Sequence, residues 1–176
     1  MTENEELNFL QRGYNTCEEL EEFKALPPRE KDLSKRIALI ECVEEIPCNP
    51  CAFVCRVDAI QKEGLCDPGI VDWDKCTGCT MCIAVCPGLS VFCQQIKDGK
   101  GYVSMPYELK PDPKTGMKAE LFDRSGKKVG EGRIVNPTYQ ARGDAYPRWV
   151  VTVEMDDPDL SYEVRAIKIM EGDSND

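Results

Sequence analysis

The sequence contains no histidine at all. Cys/His zinc fingers, Rieske iron–sulfur centres and histidine-based acid–base catalysis are therefore excluded together. Long apolar runs are missing as well, and no stretch approaches the roughly 18 residues that a membrane-spanning helix needs. Residues 1–6 carry neither the cationic start nor the apolar stretch of a signal peptide. We therefore expect a cytoplasmic protein with no transmembrane segment.

Positive charge is scarce relative to negative charge. Lys and Arg number 22 against 32 Asp and Glu, which gives a formal net charge of −10. No basic stripe that could contact phosphates runs through the chain, so we expect no nucleic-acid partner. An acidic surface of this kind serves either solubility or docking onto a basic protein partner, and both readings stay open.

Cysteine, by contrast, is abundant and concentrated. The chain has 11 cysteines, and all of them except Cys17 lie between Cys42 and Cys93. In a reducing cytoplasm, dense and regularly spaced cysteines indicate metal binding rather than disulfide bonds.

One group of cysteines has the spacing C-x₂-C-x₂-C-x₃-C-P, formed by Cys76, Cys79, Cys82, Cys86 and Pro87. Three thiolates on a tight loop can wrap one face of an iron–sulfur cube, while the fourth cysteine reaches a second cluster. We expect Gly78 to let the loop pass close to the cluster, and Cys86-Pro87 to begin a helix. Structural zinc is the alternative, but zinc sites usually use widely separated C-x₂-C pairs.

A less regular copy of this group precedes it, with Cys42 separated by five residues from Cys48 and then Cys51 and Cys55 at the usual spacing. Arg56 stands where the proline would be, and we expect it to be a surface residue. A longer first loop can still deliver Cys42, because loop length costs little entropy. If Cys42 does not bind, the first cluster is [3Fe–4S] or has another ligand.

The two copies suggest an internal repeat. The stretch from Cys55 to Ile60 parallels the stretch from Cys86 to Val91, and Ile70 to Asp72 parallels the predicted strand Ile37 to Ile40. Each copy then consists of a strand, a cysteine loop and a short helix. This pattern predicts pseudo-two-fold packing of the two halves.

Residues 42–93 resemble the dicluster bacterial ferredoxins, which implies two [4Fe–4S] clusters with exchanged fourth ligands. The resemblance assigns the first cluster to Cys42, Cys48, Cys51 and Cys86. It assigns the second cluster to Cys76, Cys79, Cys82 and Cys55. It implies no catalytic residue in this chain.

Other segments point to a more specific class of protein within this resemblance. They are residues 41–51, 86–92, 106–108 and 123–126. These segments are similar to small iron–sulfur subunits that accompany FAD-dependent amine and imino-acid dehydrogenases, of the proline, hydroxyproline and opine type, in anaerobic bacteria. The resemblance implies a non-catalytic electron-transfer subunit of a hetero-oligomer, with FAD in a partner subunit. A free-standing ferredoxin that shuttles electrons between enzymes is the alternative, and a zinc-binding structural protein is a more distant one.

Three cysteines are not predicted to be ligands: Cys17, Cys66 and Cys93. Thr16 and Glu19 form a potential capping box, and the helix that it predicts extends to about Ala25. Cys17 would then lie in the first helical turn, where the helix dipole favours a thiolate. Cys66 lies in a turn between the repeats, and we expect Cys93 to be buried as a small hydrophobe.

Taken together, these features predict an α+β protein with a ferredoxin-like dicluster domain of pseudo-two-fold βαβ repeats. The expected divisions are an N-terminal helical docking segment (1–36), a 2[4Fe–4S] ferredoxin domain (37–97), a small antiparallel β-sheet or barrel domain (98–170) and a tail (171–176). Alternating apolar residues predict five strands in the β domain, at 102–109, 117–122, 128–135, 149–155 and 162–169.

Overall fold

The computed structural model describes residues 9–140 and 147–170, so the predicted tail at 171–176 lies outside the described residues. Within those ranges the chain forms five short helices and nine strands. The helices are α1 (Phe9–Arg12), α2 (Cys17–Glu22), α3 (Pro50–Val54), α4 (Met81–Val85) and α5 (Leu160–Glu163). The strands are β1 (Ile37–Ile40), β2 (Ile60–Gln61), β3 (Ile70–Val71), β4 (Val91–Lys97), β5 (Lys100–Tyr107), β6 (Lys118–Phe122), β7 (Lys128–Gln140), β8 (Arg148–Met155) and β9 (Ala166–Ile169). None of the described helices is long and apolar enough to cross a membrane.

Seven of these strands form one antiparallel sheet in the order β1-β4-β5-β8-β7-β6-β9, while β2 and β3 form a separate pair. Strand β4 turns directly into β5 through Asp98 and Gly99, which both have positive φ angles of 54° and 75°. This is the backbone that a two-residue hairpin needs, and Asp-Gly is a favoured sequence for it. The predicted domain boundary after Lys97 therefore falls inside a hairpin, and the sheet continues across it.

Strands β1 and β4 are buried on both faces, because one face packs on the cysteine-bearing loops and the other on a larger apolar core. Ala38 and Cys93 belong to the core around helices α3 and α4. Their neighbours Leu39 and Phe92 belong to the larger core, which also contains Leu20 of α2. This alternation follows from the two-residue period of a strand. It joins the cysteine loops to the main sheet.

Four of the five predicted strands in the C-terminal half correspond to β5, β6, β7 and β8, with shifted ends. The fifth prediction, a strand over 162–169, is wrong in its first half, because α5 occupies residues 160–163 and only 166–169 are extended. The Ser161 hydroxyl donates a hydrogen bond to the carbonyl of Pro158 at 2.6 Å. The amide of Val164 donates to the carbonyl of Leu160 at 2.9 Å, which closes the helical turn.

The N-terminal capping box is confirmed. The amide of Glu19 donates to Thr16 Oγ1 at 3.3 Å, and the amide of Thr16 donates to Glu19 Oε2 at 2.8 Å. Helix α2 ends at Glu22 rather than near Ala25, because Lys24 adopts a positive φ of 56°. Leu20 is buried against the sheet core, so this helix packs on the chain's own body.

Candidate iron–sulfur centres

The two cysteine groups have similar backbone geometry where their short helices end. Helices α3 and α4 each have five residues, and each ends at a cysteine, Cys55 and Cys86, with nearly equal backbone angles (φ −73°, ψ 105° and φ −71°, ψ 113°). Three residues later, Asp58 and Leu89 both adopt positive φ angles of 49° and 55°. The two copies therefore follow the same path from helix to strand.

The expectation that Cys86-Pro87 begins a helix is wrong. Cys86 ends helix α4, and the chain turns through Leu89 into strand β4. Two causes act together here. Proline disfavours the helical conformation in the residue before it, and the left-handed angles of Leu89 break any helical path.

Gly78 lines the cavity that contains Cys76 and Cys79, so its expected role beside the cluster stays a prediction, and the structure adds a second reason for glycine at this position. Gly78 has a φ of +62°, and a Cβ atom placed on it would lie 2.3 Å from the backbone oxygen of Arg36. The side chain of Arg36 in turn donates from Nε to the carbonyl of Gly78 at 2.7 Å. Glycine is thus required because the cysteine loop lies against the backbone before β1.

One cavity, of about 370 Å³, is lined by Cys42, Cys48 and Cys86. We call it the first cavity; residues of α1 and of the turn after it, including Tyr14 and Asn15, form part of its wall. Burial raises the pKa of the Cys42 thiol, and the neighbouring Cys86 and Cys48 raise it further. These three cysteines line one cavity, as the ligand assignment for the first cluster expects.

Cys51, a predicted ligand of the first cluster, does not line the first cavity but packs half-buried against the core around helices α3 and α4. Burial raises the pKa of Cys51 to about 11, the amide of Ala52 opposes the rise, and Cys86 and Cys82 both add to it. Cys51 thus interacts with a cysteine of each cavity. This placement brings the two candidate sites side by side across helices α3 and α4.

A second cavity is lined by the cysteines Cys55, Cys76, Cys79, Cys82 and Cys93. Backbone amides point at its sulfur atoms: Ala59 donates to Cys55 Sγ at 3.2 Å, and Ala38 donates to Cys76 Sγ at 3.3 Å. Burial raises the pKa of Cys76, although the amides of Gly78 and Ala38 oppose that rise.

Each cavity therefore combines cysteines from both sequence copies. Cys86 of the second copy lines the first cavity, and Cys55 of the first copy lines the second. This is the exchange that the ligand assignment implies, and the assignment itself stays a prediction. Across residues 9–140 and 147–170, no three Cys, Asp or Glu side chains converge tightly enough to hold a single metal ion.

The residues of the second cavity fit an iron–sulfur cube, whereas the first cavity is lined by only three cysteines. The donor set consists of thiols, the surroundings include apolar side chains such as Ile83, and amide N–H groups are directed at the sulfur atoms. Hydrogen bonds to sulfur compensate the negative charge of such a cluster and contribute to its reduction potential.

The comparison with protein families decides what the second cysteine group is. A family model described as a 4Fe-4S binding domain matches residues 70–89. The chain contains a 4Fe–4S binding domain. Since this domain binds a [4Fe–4S] cluster, iron–sulfur electron transfer is the function it indicates. The match includes all four cysteines from Cys76 to Cys86, whereas the group from Cys42 to Cys55 lies outside it. No curated protein and no solved structure matches the chain.

The cysteines outside the 4Fe–4S motif copies occupy three different environments. Cys66 is exposed, and Cys17 is buried. Burial raises the pKa of Cys17 to about 11 and outweighs the attraction of Arg124, so this cysteine is a plain thiol despite its place in the first turn of α2. Cys93 is buried as predicted, but its place on the second cavity was missed. Alternate residues of a strand share one face, so the spacing of Val91 and Cys93 on β4 could have indicated that Cys93 faces the cysteine loops.

The surface prediction for Arg56 is confirmed, and both tryptophans pack against neighbouring side chains. Arg56 is exposed. Trp73 packs against the core of the cysteine loops and donates from Nε1 to the carbonyl of Ala38 at 3.0 Å. Trp149 packs against Tyr139, with ring centroids 5.0 Å apart.

A buried group of three charged side chains, which the sequence did not reveal, lies beside Cys42. Glu41 accepts hydrogen bonds from Arg124 at 2.6 and 3.0 Å and from Arg165 at 2.7 Å. Burial alone would raise the pKa of Glu41, but Arg165 and Arg124 outweigh it, and the pKa is lowered. The carboxylate therefore ties the start of the Cys42 loop to the turn after β6 and to the segment before β9.

Proposed function

We propose that this chain is the electron-transfer iron–sulfur subunit of a multi-subunit flavin-dependent oxidoreductase of the amine and imino-acid dehydrogenase class. In this proposal it has a ferredoxin-like dicluster arrangement and relays electrons through two [4Fe–4S] clusters, one in each cavity. The observation that carries it is the exchange of Cys55 and Cys86 between the cavities. A relay needs two adjacent sites, and Cys51 interacts with cysteines of both.

An iron–sulfur cluster accepts and releases one electron at a time, so two of them suit a flavin that gives up two electrons. The chain's own residues supply position and electrostatics. The amides of Ala38 and Ala59 direct hydrogen bonds at cysteine sulfur, and the buried Glu41 fixes the chain before Cys42. The proposal assigns no acid, base or nucleophile to this chain; FAD belongs to the partner subunit.

Exposed apolar side chains support docking onto a partner near the clusters. Phe53 of helix α3, between Cys51 and Cys55, is 89% exposed, and Leu65 and Ile70 are 60% and 50% exposed. Large exposed apolar groups close to a functional site are typical of protein interfaces. Docking at this position would keep the electron path short.

Iron and acid-labile sulfide analysis of anaerobically prepared protein tests cluster binding. We expect both elements in equal amounts, in a quantity that corresponds to two cubes. Zinc, or an absence of iron and sulfide, would contradict the proposal.

Two matched substitutions test the exchange of ligands. Cys86→Ser should remove the cluster of the first cavity, and Cys82→Ser should remove that of the second, so their remaining EPR signals should differ. Cys66→Ser, at an exposed cysteine, is the control and should retain both signals. If Cys86→Ser and Cys82→Ser leave the same signal, the exchange is refuted.

Co-purification tests the subunit role. From the native source, we expect the chain to co-elute with a flavoprotein at fixed stoichiometry. Phe53→Ser should weaken that association and retain the clusters, whereas Leu109→Ser, which alters a 62% exposed residue far along the sequence, should not. Elution of the unaltered chain alone would favour a free-standing ferredoxin.

A further inference from the structure

The side chain of Arg36, the residue before strand β1, is hydrogen-bonded to the cysteine loop of the second cavity. Its Nε donates to the carbonyl of Gly78 at 2.7 Å. Gly78 lies between the predicted ligands Cys76 and Cys79, and all three residues line the second cavity. A guanidinium group, which is positively charged, therefore contacts the peptide unit that leads into a predicted ligand.

This hydrogen bond fixes the orientation of the peptide unit between Gly78 and Cys79. The C=O and N–H bonds of a trans peptide unit point in opposite directions, because the unit is planar. Since the Gly78 carbonyl points at Arg36, the N–H of Cys79 points away from it. Arg36 thus determines how an N–H dipole is directed at a residue that lines the cavity.

Arg36 is itself held in place from two sides. On the sheet side, the amide of Ile96 in β4 donates to the carbonyl of the buried Leu33 at 2.8 Å, shortly before Arg36. On the loop side, a Cβ atom placed on Gly78 would lie only 2.8 Å from the Cβ atom of Arg36, so the two segments are in close contact. The fold therefore determines where the Arg36 side chain lies relative to the loop.

Within the part of the chain that the structure describes, no carboxylate neutralises the charge of Arg36. The ion pairs across residues 9–140 and 147–170 all involve other cations. Arg36 is also half-buried, so water and salt screen its charge less than they would at an exposed position. An uncompensated positive charge at this place acts on whatever occupies the second cavity.

We propose that Arg36 is a positioning residue for the cluster of the second cavity: its side chain holds the Cys76–Cys79 loop through the Gly78 carbonyl, and its charge raises that cluster's reduction potential. This inference rests on the proposed function, because it requires a [4Fe–4S] cluster in that cavity. Reduction adds one electron to the cluster, and hence one negative charge. A nearby cation therefore stabilises the reduced form more than the oxidised form.

An EPR-monitored redox titration of the full-length, cluster-loaded protein tests this inference. The signal to follow is the one that Cys82→Ser removes. Arg36→Met retains the length of the side chain without its charge, and we expect the potential of that signal to shift to more negative values. Arg36→Gln retains a hydrogen-bond donor without the charge and should shift it in the same direction. Arg36→Lys retains the charge and should stay closer to the unaltered protein.

Arg133 provides a matched control. It donates from Nη1 to the carbonyl of Gly116 at 3.0 Å, and Gly116, like Gly78, has a positive φ, of 92°. Arg133→Met therefore removes the same kind of contact from a turn that carries no cysteine. We expect this variant to leave the potentials of both clusters unchanged.

Unchanged potentials in both Arg36→Met and Arg36→Gln would overturn the inference. A shift in Arg36→Lys as large as in Arg36→Met would also overturn it, because the charge would then not be the cause. If the uncharged variants do not retain the second cluster, iron analysis decides: retention in Arg36→Lys supports the inference, and loss from all three variants overturns it. Absence of iron from the unaltered protein would refute the proposed function itself.

Discussion

Replacing Glu41 by Gln should be among the most damaging single substitutions in this chain. The side chains of Glu41, Arg124 and Arg165 are only 8%, 8% and 5% exposed, so the three charges are removed from water. Glutamine retains the shape but not the charge. It leaves the buried Arg165 without its carboxylate partner, and it leaves Arg124 with only the more exposed Glu163, at 3.7 Å. Breaking a buried pair by removing one partner typically costs about 3–5 kcal/mol.

Anaerobic urea unfolding, followed by tryptophan fluorescence, measures this effect. The free energy of unfolding falls by about 2 kcal/mol per molar urea for a protein of this size. The expected loss of stability therefore corresponds to an unfolding midpoint lower by about 1.5–2.5 M urea. The midpoint is compared at a fixed incubation time, because cluster loss makes unfolding irreversible. We also expect the first cavity to lose its cluster before the second, since Glu41 adjoins Cys42.

A matched control separates burial from charge. Glu120 forms a pair with Lys128 at 2.9 Å, but these side chains are 25% and 43% exposed. Glu120→Gln should therefore cost below about 1 kcal/mol, as exposed ion pairs usually do. If Glu41→Gln shifted the urea midpoint no more than Glu120→Gln, the stabilising role of the buried group would be refuted.

Two further predictions concern individual side chains. In the cluster-loaded protein at pH 8, iodoacetamide should alkylate Cys66 quickly and Cys17 slowly, as mass spectrometry would show. Burial raises the pKa of Cys17 from its ordinary value of 9.0 to about 11, so the folded protein favours the protonated thiol. The resulting contribution to folding stability is complete below pH 9.0 and is lost as the pH rises through about 11. Rapid alkylation of Cys17 at pH 8 would contradict its burial. Gly78→Ala should prevent normal cluster assembly, because the new Cβ atom would clash with the backbone of Arg36. Gly126 also has a positive φ, of +81°, but it has open space around it, so Gly126→Ala should cost only the strain of the backbone conformation, about 1–2 kcal/mol of stability. Equal cluster content in the two variants would contradict this prediction.

The 4Fe–4S binding domain at residues 70–89 was predictable because ligand spacing is a local property of the sequence. The same holds for the capping box at Thr16, and for β5 to β8, where apolar residues alternate within each strand. The interactions of Glu41 were not predictable, since Arg124 and Arg165 are 83 and 124 residues away along the chain. No short-range pattern encodes such a contact.

One wrong strand and one predicted boundary each had a local sequence signal that favoured a different interpretation. Asp98-Gly99 is a hairpin sequence, but the disappearance of cysteines after it suggested a domain boundary there. The apolar alternation at the end of the chain suggested one long strand, while the turn residues at 156–159 give a helical turn before β9. In both places the tertiary pairing of the sheet determines the outcome, and that pairing is non-local.

The continuous sheet limits how this protein can be shortened. β4 lies between β1 and β5, so a chain cut at Asp98 would leave the amide and carbonyl groups along one side of β4 without partners. Unpaired strand edges recruit other strands, and self-association is the usual result. A minimal electron carrier taken from residues 37–97 would therefore need a redesigned, charged border along β4 before it could be produced as a monomer.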